Sequence, residues 1–113
     1  MNWFNTQIKS SLLALLGSYA IAPAARQERI DHIRWLMLDE LGDFGKVNFP
    51  KIVIRIQYAA DAETLWFIRS EIMSVLGEKY GETIAQEKIK RISAQFAGLL
   101  PKGLIARSSS LGR

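Results

Sequence analysis

The feature that most constrains this chain is a helical repeat near its end. Ala85, Ile89, Ile92, Phe96 and Leu99 recur at offsets 0, 4, 7, 11 and 14. That spacing lines five apolar side chains along one stripe of a 3.6-residue helix. A second stripe precedes it: Leu65, Ile68, Ile72 and Leu76, widened by Trp66, Phe67, Met73 and Val75. Apolar residues on so much of one helix imply contact with more than one neighbour, so this is the expected central helix. Two adjacent stripes of this kind predict an antiparallel helical hairpin over residues 61–98.

Earlier segments read the same way. Ile30, Ile33, Met37 and Leu41 lie at offsets 0, 3, 7 and 11 and predict a helix over about 25–41. Gly42 is read as its stop, since only Gly enters the left-handed cap without penalty, and residues 42–50 as a loop. Phe4, Ile8, Leu12, Leu15 and Tyr19 share a stripe over about 3–19, which the segment AIAPAA then breaks. The stretch KIVIRIQY, residues 51–58, alternates like a strand. Asn48 and Pro50 nevertheless suit a helix start. No other segment offers it a pairing partner, and a lone strand leaves its backbone groups unpaired. A short helix is the expectation. Asp61 is placed to cap the central helix, the segment GEKYG to turn, and Thr83 with Gln86 to form a capping box.

The expected fold is therefore all-α: a small single-domain bundle of four to five helices over residues 1–100. It ends in a helical hairpin and a basic, mobile tail over 101–113. An apolar content of 49% suffices for a core, and the absence of Cys excludes disulfides and thiolate zinc sites. No run reaches the ~18 apolar residues of a membrane span. Residues 12–25 place an apolar centre before small residues, as a secretory signal does, but Lys9 is the only charge ahead of them. The expectation is that this segment is retained as a helix in a cytoplasmic protein; the alternative is secretion with residues 1–25 removed.

Charge is unevenly spread. The first 50 residues carry five basic and five acidic side chains, so the whole net charge of +4 lies in the second half. Nothing acidic follows Glu87. Lys88, Arg91 and Gln95 fall opposite the apolar stripe of the last helix, with Lys90 beside them, a candidate ridge for phosphate contacts. Among chemistry-bearing side chains, Glu28, the single His32 and Asp39 share a helix face. Without a second His or any Cys they are read as a solvated polar face rather than a metal or proton-transfer site. Asp43-Phe44-Gly45 is read as a turn. Arg26, Arg29 and Arg34 interleave with Glu28, Asp31, Asp39 and Glu40 and are read as surface ion pairs. No catalytic residue, cofactor site or metal site emerges.

Contact surfaces remain. Trp35 falls between His32 and Asp39 on the polar side of its helix, and an exposed Trp is a common interface anchor. Trp66, Arg69 and Met73 could together receive a partner helix, although core packing is the better account of them. The expected function is a non-enzymatic binding or accessory protein working through protein contacts, with another protein or as a homodimer. One alternative rests on the order of elements. A strand KIVIRIQY followed by two helices resembles the ribbon-helix-helix DNA-binding regulators. That resemblance implies a dimer whose strands pair, with Val53, Arg55 and Gln57 facing the major groove, where Arg reads guanine and Gln adenine.

Overall fold

A computed structural model describes residues 21–101, 103 and 104. The helix expected over 3–19, the proposed signal and most of the basic tail lie outside the described residues. Four helices follow in order: α1 (Pro23–Asn48), α2 (Pro50–Gln57), α3 (Ala62–Tyr80) and α4 (Glu82–Ala94). The chain is all-α, and its most extensive contact is the antiparallel α3–α4 hairpin. Among the described residues no helix is long and apolar enough to cross a membrane.

The apolar stripes become one core. Ile30, Ile33, Met37 and Leu41 of α1 meet Leu65, Ile68, Ile72 and Leu76 of α3 and Ala85, Ile89 and Ile92 of α4. Val53 and Ile56 bring α2 into the same cluster. Residues 51–57 are thus helical, with Pro50 in the first turn, where its missing N–H is no loss. The ribbon geometry needs a strand there and is not present in this fold. Asn48 does not cap α2; it donates from Nδ2 to the Phe44 carbonyl. Asp61 does cap α3, its carboxylate accepting from the Thr64 N–H at 2.8 Å.

Three boundaries differ from expectation. Gly42 kinks α1 instead of ending it, with φ 53° and ψ −154°, a region closed to residues with a Cβ. The chain resumes helix to Asn48, so most of residues 42–50 is not loop. The kink also crowds Gly45 against Leu41: a Cβ there would sit 2.6 Å from the Leu41 Cβ. Second, α3 runs through Gly77 to Tyr80, and Gly81 alone, at φ 90°, makes the turn. Third, α4 starts at Glu82, so Thr83 lies inside the helix and forms no capping box. α4 also ends at Ala94, short of Phe96 and Leu99. The tight turns over 95–100 still deliver Phe96, Leu99 and Leu100 to the core. Leu104, expected in a mobile tail, packs against that core.

Candidate functional site

The three arginines of α1 do not form the surface ion-pair lattice their spacing suggested. They grip backbone carbonyls. Arg34 donates from Nη1 to the carbonyls of Ile56 at 2.8 Å and Ala59 at 2.7 Å, with a longer contact to Gln57. Arg29 donates to the carbonyls of Gln95 and Ala97, and Arg26 to that of Leu99. The final carbonyls of a helix and the turn beyond it lack intrahelical donors, so a guanidinium satisfies several at once. Ion pairs are secondary: Arg26 lies 3.8 Å from Glu63 and Arg34 3.6 Å from Asp31.

Several large apolar side chains lie in the open. Trp35 is 59% exposed on the outer face of α1, with the His32 ring stacked on it at 6.2 Å between centroids. One residue away, Arg34 ties α1 to the end of α2. There Ile54 and Tyr58, one turn apart, are 52% and 81% exposed. A second bridge, from Arg55 of α2 to Glu71 of α3, fixes the other flank of α2. Phe67, one turn before Glu71, is 62% exposed. Trp35 of α1, Ile54 of α2, Tyr58 just after α2 and Phe67 of α3 are thus each more than half in water, as is Val47 of α1. Sequence reasoning found Trp35 alone. Ile54, Tyr58 and Phe67 were missed because their apolar character suggested burial, and only the angular position of Val53 and Ile56 reveals which side of α2 faces out.

The other predicted contact residues divide. Trp66 and Arg69 are buried, 5% and 4% exposed, so they are not a docking face. The Arg69 guanidinium lies 3.3 Å from the centroid of the Trp66 ring, whose edge meets Phe96 at 5.0 Å. Met73 is partly buried and lines an open groove of about 450 Å³ between α3 and α4, with Ser70, Ser74, Gly77, Glu82 and Ala85.

The proposed nucleic-acid residues divide as well. Arg55 is engaged by Glu71. Lys88 is half-buried, 2.9 Å from Glu40 of α1 and 4.8 Å from the centroid of Tyr80, so it joins α4 to α1 and is not part of a free ridge. Gln57, Lys90 and Arg91 are exposed. His32, Glu28 and Asp39 also lie exposed, and among the described residues no group of three or more potential ligands could hold a metal ion. Comparison with known protein families, with curated proteins and with solved structures finds no match to this chain.

Proposed function

We propose that this chain is a non-enzymatic binding or accessory protein that works through protein contacts, and that the surface flanking α2 makes them. One observation carries the reading: Trp35, Ile54, Tyr58 and Phe67, on or beside the mutually packed helices α1, α2 and α3, are each more than half exposed. Single exposed apolar residues are ordinary, but large ones grouped together mark contact surfaces. Trp and Tyr bury much area while ordering few torsions, and so dominate such contacts. Arg34 and Arg55 tie α2 to its neighbours α1 and α3. The ribbon-helix-helix reading has less support, because Arg55 is paired and residues 51–57 are helical.

The test is a double variant, Trp35→Ala with Tyr58→Ala, both side chains being outside the core. Its denaturation midpoint should match that of the wild type. Affinity capture under native conditions and concentration-dependent light scattering should show a retained partner, or a second copy, for wild type only. Equal retention by both proteins, or none by either, overturns the assignment of this surface.

A further inference from the structure

Arg69 is a buried cation without a counter-ion. Its side chain is 4% exposed, and no carboxylate of the described residues pairs with it. Burial of a charge is costly unless it is paired and hydrogen-bonded. Part of the compensation is visible. Nε donates to the Trp66 carbonyl at 3.1 Å, Nη1 donates to Ser93 Oγ at 2.5 Å, and the guanidinium stacks on the Trp66 ring. All of these partners are neutral. Removal from water lowers the pKa of Arg69 to about 10, which still leaves it charged at neutral pH.

The remaining nitrogen, Nη2, donates to none of the described residues. Yet no buried side-chain nitrogen or oxygen among them lacks a partner, so Nη2 is not wholly sealed from solvent. Beside it stands the Ser93 hydroxyl, which accepts from Nη1 and keeps its own proton to donate. Ser93 is only half-buried. Lys90 lies one helical turn before Ser93 on the exposed surface of α4, and Arg91 is close by in the chain. A guanidinium edge and a hydroxyl donor meet on the α3–α4 seam, with Lys90 one helical turn away.

We infer that Arg69 Nη2 and Ser93 Oγ form a binding site for a phosphate group, with Lys90 reinforcing it from the rim. Phosphate fits because it offers several acceptor oxygens and a double charge, and because charge-assisted hydrogen bonds from a guanidinium are strong where water is scarce. The site is distinct from the α2 surface and stands whether or not that surface binds a protein.

The full chain is titrated with inorganic phosphate and, separately, with glycerol phosphate, each against sodium chloride of equal ionic strength at pH 7. The readouts are the resonances of the Arg69 Nε–H and the Ser93 amide. Saturable shifts confined to residues 69, 90 and 93 are expected with at least one ligand. Saturation by inorganic phosphate identifies a free-phosphate site; saturation by the ester alone identifies a phosphomonoester site. Ser93→Ala should weaken binding about tenfold, the loss of one charge-assisted hydrogen bond. Arg69→Met should abolish it; if that variant does not fold, Ser93→Ala decides. Shifts that rise linearly, spread over Lys46, Lys51 and Arg91, and match those in chloride overturn the site, as does saturation unchanged in Ser93→Ala.

Discussion

Phe96 shows how much one residue can hold together. It is fully buried, lies beyond the last turn of α4, and meets the edge of Trp66, which in turn carries the Arg69 guanidinium. Phe96→Ala should lower stability by about 3–5 kcal/mol, the cost of deleting a core aromatic and leaving a cavity. A chemical denaturation midpoint indistinguishable from wild type would exclude Phe96 from the core. Asp61 acts differently, through a terminus. The side-chain and backbone hydrogen bonds from Thr64 hold its carboxyl below the usual value of 3.8. A depressed pKa in the folded state means that its stabilisation is present above about pH 4 and is lost as the pH falls through the folded value. Asp61→Ala should cost about 1 kcal/mol at pH 7 through loss of the cap. Asp61→Asn keeps an acceptor and should match the wild type at neutral pH while losing less between pH 4 and 2. Thermal melts of the three proteins across that range check the sign. The burial of Arg69 was the residue least readable in advance. A helical Arg beside a wide apolar stripe suggests an exposed rim, and only the nearby Trp66 ring and Ser93 hydroxyl make its burial tolerable.

At the scale of elements, the periodic stripes were legible because burial acts on the same 3.6-residue repeat that sequence displays. Every member of the α1 and α4 stripes and the four central positions of the α3 stripe are buried, and Phe96, Leu99 and Leu100 remain so after the helix itself has ended. Boundaries were less legible. Gly42 looks like a stop because its conformational freedom is needed, but the same freedom serves a kink between two helical stretches. The arginine clamps were not legible at all. Their acceptors are backbone carbonyls 22 to 73 residues away in the chain, and no charge pattern points to a carbonyl. Arg34 is the clearest example, since it secures the end of α2 and the start of the connection to α3. Arg34→Met keeps much of the aliphatic stem and removes the donors. It should cost about 1.5–3 kcal/mol, the range for hydrogen bonds from a charged donor, and should raise hydrogen exchange in residues 53–60 before exchange in α3 or α4. A uniform increase over the whole chain would show that α2 has no separate stability for Arg34 to support. Tyr58 lies between the carbonyls that Arg34 holds, so this variant should also loosen any contact made by Tyr58.

For the described part of the molecule, the charge gradient along the sequence is partly neutralised in the fold, because Lys88 pairs with Glu40. α1 is acidic on its outer face and also donates Glu40 to Lys88 of α4, so one of the three cations on the last helix is spent on packing. Lys88 further sits against Tyr80, which Lys79 also approaches at 4.9 Å, and Lys79 reaches toward Phe44. Reversing Lys88 would place a carboxylate against Glu40 and remove a cation from the aromatic ring. Among the described residues, Lys90 and Arg91 have no such ties. Two proteins therefore separate diffuse charge from structure: the double variant Lys90→Glu, Arg91→Glu and the triple variant that adds Lys88→Glu. The double variant should melt within a few degrees of wild type, since exposed charges contribute about 0–1 kcal/mol each. The triple variant should melt clearly lower, because it breaks a half-buried pair linking α1 to α4. If the exposed cations confer affinity for duplex DNA, that affinity should be weak, should fall linearly in log K against log salt, and should vanish in the double variant without loss of fold. Binding that survives both moderate salt and the double reversal would shift attention to Gln57 and the outer face of α2. No binding by wild type at low salt would leave the positive charge as a solvated surface and the aromatic residues around α2 as the contact surface with the stronger physical rationale.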